Sequence, residues 1–167
     1  MWIVRIIVAI FVVSILLLLV IGTVKEELKR DKTKISFKES LDLVDLPVCT
    51  FISNGNKINL LIDSGSDISY LCTRAKESVK IIKEDNVGLD LLTGMCSSKV
   101  NSSEISVELE YKDNTFKENF IVLPELDNQF NEIKQEKGVR IDGILGNSFL
   151  SKYKYIIDYN DLSVYIK

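Results

Sequence analysis

The residues of this chain best suited to chemistry stand in one short run, Asp63-Ser64-Gly65-Ser66-Asp67. The apolar stretch Leu60-Leu61-Ile62 leads straight into it and reads as a buried strand. An acid, a hydroxyl residue and a glycine at a strand end hold one carboxylate in a tight turn. Late in the chain stands a second run, Ile141-Asp142-Gly143-Ile144-Leu145-Gly146, followed by the helical-looking Asn147-Ser148-Phe149-Leu150-Ser151-Lys152-Tyr153. Hydrolysis without a metal or a nucleophilic side chain needs an activated water and a proton donor. Two carboxylates a few ångström apart supply both, because they share one proton across two macroscopic pKa values. The ionised partner takes a proton from water, and the protonated one polarises the carbonyl under attack.

Composition removes most rivals to carboxylate chemistry. The 167 residues contain no histidine. Ser-His-Asp and Cys-His catalysis are therefore excluded, as are the His-Glu-x-x-His metal helix and any histidine-based zinc site. What remains is acid chemistry or a Ser-Lys pair built on Ser64 or Ser66, and no sequence feature brings a lysine close to either. The three cysteines, Cys49, Cys72 and Cys96, have no paired spacing and read as small buried hydrophobes. The net charge of −3 and the lack of a basic, aromatic-interleaved cluster argue against a nucleic-acid partner. Neither metal nor organic cofactor is implied.

The elements that must position these residues follow an apolar N-terminus. Ile6 to Val24 carries no charge, and at 1.5 Å per helical residue it spans about 28 Å, close to the thickness of a bilayer core. It is longer than a signal-peptide core and lacks an Ala-x-Ala site, so residues 1–24 read as a retained single-pass anchor rather than a cleaved leader. Residues 25–40 are polar and charge-mixed, a juxtamembrane linker or helix extension. Residues 41–167 form one domain. Lys25, Lys29, Arg30, Lys32, Lys34 and Lys38 all follow the span while Arg5 precedes it. That asymmetry leans towards a cytoplasmic C-terminal domain and leaves the side of the membrane open.

The domain reads as short strands. Val48–Ile52 and Lys57–Ile62 flank Asn54-Gly55, a hairpin signal. Ile68–Cys72 follows the acid turn, and Thr73–Lys80 reads as a short helix capped by Thr73. Leu89–Leu92 and Val100–Tyr111 are joined across Thr93-Gly94-Met95, and Thr115–Leu123 places Phe116, Phe120 and Val122 on one face. Leu126, Phe130 and Ile133 have helical spacing, with Gly138 as the stop. Tyr155–Tyr159 and Leu162–Ile166 close the chain around Asn160-Asp161. Many short strands predict an all-β barrel with a short C-terminal helix.

The two motif runs resemble the retropepsin-like aspartic proteases: Asp-Ser-Gly-Ser near the start, then Ile144-Leu145-Gly146 before a short helix, over roughly residues 47–167. The resemblance implies an acid-protease barrel with Asp63 as the catalytic acid/base. Ser64, Gly65 and Ser66 would shape and brace the turn. Because one such turn is present, it also implies a homodimer whose dyad takes one Asp63 from each subunit. Thr93, Gly94 and Met95 would belong to a flap over an extended peptide or protein substrate. Ile144, Leu145 and Gly146 would pack beneath the turn. Many retroviral members have Arg directly after that glycine, paired with an acid after the catalytic turn. Here Asn147 stands there and the acid, Asp67, remains, so Asp67 is expected to bond Asn147 or an arginine elsewhere. Asp142 reads as bracing a turn. Two bland readings stay beside this one: Asp63 closing a strand by an Asx-turn to Gly65, and a catalytically silent, membrane-tethered peptide-binding or dimerisation module of the same fold.

Overall fold

The computed structural model describes residues 2–93 and 96–166, and the backbone alone at positions 4, 9, 29, 31, 87–93 and 96–101. The chain begins with one long helix, α1 (Trp2–Thr33). It carries a segment, Arg5–Leu28, long and apolar enough to cross a membrane, with mean hydropathy 3.2 and no burial against the rest of the chain. Apolar side chains are exposed all round it, as in Phe11, Leu18 and Ile21. Such a surface is stable only against another apolar medium.

The segment 25–40 shows both local structure and packing. Residues 25–33 extend α1, β1 (Ile35–Ser36) is a short strand, and α2 (Lys38–Val44) follows. Ile35 and Phe37 are each 1 % exposed, so this stretch contributes to the core.

Next come β2 (Val48–Ser53), β3 (Asn56–Ile62) and β4 (Ser69–Leu71). The β2–β3 turn puts Asn54 at φ 49° and Gly55 at φ 75°. This doubly left-handed turn matches the twist of a two-residue hairpin. A 3-10 turn (Thr73–Ser78) precedes the long strands β5 (Lys80–Thr93) and β6 (Cys96–Tyr111). Then follow β7 (Asn114–Val122), α3 (Glu125–Lys137), β8 (Gly143–Leu145), α4 (Asn147–Lys152), β9 (Tyr155–Asp158) and β10 (Ser163–Ile166).

Six strands form a closed ring in the order β2-β3-β8-β4-β7-β6, completed by the Ile52–Glu110 pairing of β2 with β6. β5 lies outside the ring, paired to β6. A second, three-stranded sheet has the order β1-β10-β9. The architecture is the all-β barrel with a short C-terminal helix that the strand pattern predicts, preceded by an apolar N-terminal helix.

Inside the ring the strands alternate as buried strands should. Phe51, Ile58, Leu60, Ile105, Leu109, Phe120 and Leu145 are fully buried. An aromatic group closes one end. Phe116 lies 6.2 Å from Phe51, 5.6 Å from Phe149 and 5.0 Å from Tyr153 between ring centroids. Edge-to-face pairs of this kind add about 0.5–1.5 kcal/mol each beyond burial.

Two local expectations are corrected. The 3-10 turn is not capped by Thr73: the capping position is Cys72, and the free N–H groups of Thr73 and Arg74 donate to the Asp127 carboxylate of α3 (3.0 and 3.3 Å). The acid that satisfies the turn is remote in sequence, so no local pattern announces it. The hairpin expected from Leu89 to Val100 is much longer, with pairing continuous from Lys80–Glu108 to Thr93–Cys96 apart from a bulge near Ile82. The first part of β5 was hidden because Lys80 to Asn86 are all exposed, so no buried face produced an alternating pattern.

Candidate active site

β8 is three residues long and lies between β3 and β4. It pairs in parallel with β3 (Leu60–Gly143, Leu61–Ile144, Ile62–Leu145) and antiparallel with β4 (Tyr70–Ile144, Leu71–Gly143). The two motif runs, some eighty residues apart, thus become neighbouring strand ends. Asp63 is the first residue beyond β3, and its N–H continues the ladder by donating to Leu145 O at 3.0 Å. Its carboxylate Oδ1 accepts the Gly65 N–H at 2.9 Å, and Ser66 N–H donates to Asp63 O at 3.2 Å. The bond expected of an Asx-turn is therefore present. It occupies one oxygen and leaves Oδ2 without a hydrogen-bond partner among the described residues. Asp63 is half-buried, while Ser64 and Gly65 are exposed.

The glycines are required by proximity. A Cβ on Gly146 would stand 2.3 Å from Ile68 O and 2.9 Å from Ser66 O, and one on Gly143 would stand 2.4 Å from Tyr70 O. Any side chain at either position would push β4 away from β8. Gly65 differs from expectation. Its φ is not in the left-handed region, and its role is spatial: a Cβ there would sit 3.2 Å from Asp63 Oδ1, the oxygen that the Gly65 N–H must reach.

The loop after Gly146 clasps the acid turn through the main chain. Asn147 N–H donates to Ser66 O (2.7 Å) and Ser148 N–H to Asp67 O (3.0 Å). The expected side-chain partnership of Asp67 with Asn147 or an arginine is not formed among the described residues. Asp67 is exposed, and the backbone carries the connection. Burial, with the Asp67 charge in second place, raises the pKa of the nearby Tyr70 phenol. Ser66 Oγ donates to Ile68 O at 2.8 Å, holding the far side of the turn. Leu145 is fully buried and Ile144 partly so.

Sequence reasoning missed the polar knot behind this clasp. Glu118 of β7 is only 2 % exposed. Its Oε1 accepts hydrogen bonds from Ser69 Oγ (2.9 Å) and Ser148 Oγ (2.6 Å). Ser69 Oγ in turn accepts the Gly146 N–H at 3.1 Å. Lys152 of α4 approaches Oε2 at 3.7 Å. One carboxylate thus links β7, the start of β4 and the first turn of α4, the segments that follow the two motifs. The signal was legible: Glu118 shares the inward parity of Phe116, Phe120 and Val122, and an acid on an inward face must find partners.

The remaining candidates separate cleanly. Asp142 is fully buried and braces β3: its Oδ2 accepts the Asn59 N–H (3.0 Å), and Arg140 Nε donates to Oδ1 (2.5 Å). Asp158 accepts the N–H groups of Asn160 and Asp161 in the β9–β10 turn. Burial pushes the thiols of Cys49 and Cys72 up to about 12 and about 11, which suits core residues and not nucleophiles. Thr93 ends β5, whereas Gly94 and Met95 lie outside the described residues. No group of three or more potential metal ligands occurs among the described residues.

No family model matches the chain, and no curated protein sequence does. Solved structures do. A retropepsin-like aspartic protease from Rickettsia conorii is 20 % identical, with 79 % of this chain and 87 % of that one covered and a TM-score of 0.48. The retroviral protease-like domain of Ddi1 from Leishmania major is 15 % identical over 72 % of this chain and 86 % of that one, at 0.46. The EIAV protease in complex with an inhibitor is 19 % identical over 64 % and 86 %, at 0.44. The Asp63 turn at the end of one strand, the Ile144-Leu145-Gly146 run paired beside it and the short helix that follows all sit on a closed six-stranded ring, the arrangement that the resemblance in sequence implies.

Proposed function

We propose that the chain is a membrane-anchored aspartic endopeptidase that works as a homodimer, with Asp63 from each subunit sharing one proton and activating one water. The observation that carries this reading is the Asp63 turn itself. The Asp63 N–H is held at the strand end by Leu145 O and its carboxylate by the Gly65 N–H, yet the residue is half-buried with the exposed Ser64 and Gly65 beside it. An acid held rigidly and left open on one side suits a dyad completed by a second copy, since small misplacement costs rate heavily. Ser64 would brace the paired turns. Thr93, Gly94 and Met95 would lie at the tip of the β5–β6 hairpin that covers an extended peptide. Asp67, Asn147 and Gly146 would keep the two motif loops in register. The Arg5–Leu28 segment of α1 would span the membrane, and confinement to one plane would raise the effective concentration of partners.

The test is cleavage of a diverse peptide library by the full chain in detergent, wild type beside Asp63→Asn, from pH 4 to 8. Cleavage abolished by Asp63→Asn and by a statine-type inhibitor, and declining as pH rises through the upper macroscopic pKa of the dyad, is the expected result. A folded, dimeric wild type that binds peptides without cutting them would move the reading to a silent binding module. Activity that persists in Asp63→Asn would refute the dyad.

A further inference from the structure

A single residue, Lys34, separates α1 from β1. Helix α1 runs unbroken to Thr33, and Ile35 is already paired with Val164 in the terminal sheet. The last helical turn is held on two sides. Towards the terminal sheet, Arg30 Nη2 donates to Asp161 Oδ2 (2.7 Å) and Asp158 Oδ2 (3.2 Å), and its guanidinium lies 4.1 Å from the centre of the Tyr165 ring. Lys34 Nζ reaches Asp161 Oδ2 at 2.9 Å, and the Ile166 N–H donates to Thr33 Oγ1 at 3.0 Å. Towards the β6–β7 turn, Asn114 Nδ2 donates to Lys32 O (3.0 Å) and Lys112 Nζ to Lys34 O (3.3 Å). Contacts from two directions restrain the tilt of the helix as well as its position.

We infer that α1 is a rigid stalk that sets the height of the Asp63 cleft above the bilayer, and that the substrates are membrane-tethered polypeptides cut close to the membrane surface. This rests on the anchored-protease reading given above. From Val24, where the uncharged stretch ends, to Thr33 the helix continues for about 14 Å. A domain of this size is about 36 Å across. The cleft therefore stays within about 50 Å of the membrane, a distance that an extended substrate covers in about 15 residues. A tethered chain with its cleavage site in that window meets the cleft at high effective concentration. A rigid join holds the cleft at one height, so spacings that do not match that height are cut more slowly.

The experiment uses the full chain in phosphatidylcholine vesicles. Its substrates are one cleavable sequence placed 3, 8, 15 and 40 residues from a transmembrane helix, and the same peptide free in solution. Wild type is compared with a variant carrying a flexible 20-residue Gly/Ser insert between Thr33 and Lys34. Wild type is expected to cut best at an intermediate spacing, at least tenfold faster than the free peptide and at least fivefold faster than the 3-residue spacing. The insert is expected to flatten that profile. Energy transfer from a dye on Lys57→Cys in a Cys96→Ser background to labelled lipid reads the height without any activity. One narrow height in wild type and a broad one in the insert is expected. A wild-type profile already flat across spacings, or a broad wild-type height, overturns the stalk. A narrow height with no cleavage of any substrate overturns the protease reading and the substrate class together, leaving only the rigid docking.

Discussion

Two regions of the molecule, the Asp63 site and the join to the stalk, are held by different physics. At the Asp63 end, the join between the two motifs is almost wholly main chain: ladder bonds from β3 and β4 to β8, the Asn147 and Ser148 N–H groups on the acid turn, and glycines where β4 passes too close for a side chain. At the stalk end, the short β1–β10 pairing and the buried Ile35 are supplemented on the helix itself by exposed or half-exposed charges around Arg30, Lys34, Asp158 and Asp161. Backbone geometry gives a join with no slack, and a single added methyl disrupts it. Surface ion pairs give a join whose parts are individually weak, so it holds through number and direction rather than strength. The chemistry is placed on the first kind of join, and the coupling to the anchor on the second.

The sharpest way to break this contrast is at Gly146. Gly146→Ala places a Cβ 2.3 Å from Ile68 O, and overpacking of this sort costs about 1–3 kcal/mol or more. The expected outcome is a lower thermal midpoint and loss of any Asp63-dependent activity. Unchanged stability would show that β4 and β8 yield easily.

Glu118→Gln comes next. It keeps the shape but removes the shared anionic acceptor of Ser69 and Ser148, and leaving buried hydroxyls poorly satisfied costs about 1–3 kcal/mol. Amide exchange is expected to quicken at Gly146, Asn147 and Ser148 more than elsewhere in the ring, and kcat to fall while KM holds. Uniform quickening across the barrel would mean that Glu118 merely stabilises the fold.

Arg30→Ala is expected to cost the domain no more than about 1 kcal/mol, because the pairs it removes are part-exposed. Its readout is a broader distribution of heights above the bilayer, with the barrel's thermal midpoint nearly unmoved. A large fall in that midpoint would make the stalk end as unforgiving as the site end.

The smallest effect is acid sensitivity of the clamp. Lys34 first, and then Arg30, hold the Asp161 carboxyl below its ordinary value of 3.8. A carboxyl depressed in the folded state stabilises above its unfolded pKa and loses that contribution as pH falls through the folded one. The clamp should therefore be intact at neutral pH and loosen only below about pH 4. Energy transfer measured from pH 7 to 3 checks this, and loosening already at pH 6 would implicate a different group.

Much of the fold was legible because it depends on local rules. The Asn54-Gly55 hairpin, the Gly138 helix stop in the left-handed conformation, and the β9–β10 pair around Asn160-Asp161 all follow from turn chemistry and strand alternation. What stayed hidden depends on partners far along the chain. Asp127 caps a turn that begins at Thr73, Glu118 gathers Ser69 and Ser148, and Arg30, Thr33 and Ile35 join the terminal sheet. The Lys80–Asn86 part of the long hairpin escaped notice because its side chains face water, and water imposes no period.

The sequence by itself determined that this chain has an apolar helix of membrane-spanning length, a strand-rich domain, no histidine chemistry, and one carboxylate at a strand end ahead of a glycine turn. Those properties belong to residue types and short spacings, so they survive without knowledge of any distant contact. Folding alone brings the two motifs side by side through β8, sets a passing backbone against Gly143 and Gly146, stands a buried glutamate behind the clasp, and leaves one residue between the helix and the terminal sheet. Each of these is a meeting of groups brought together by ring closure and burial. A linear sequence does not specify such meetings until the hydrophobic core has settled which strands become neighbours.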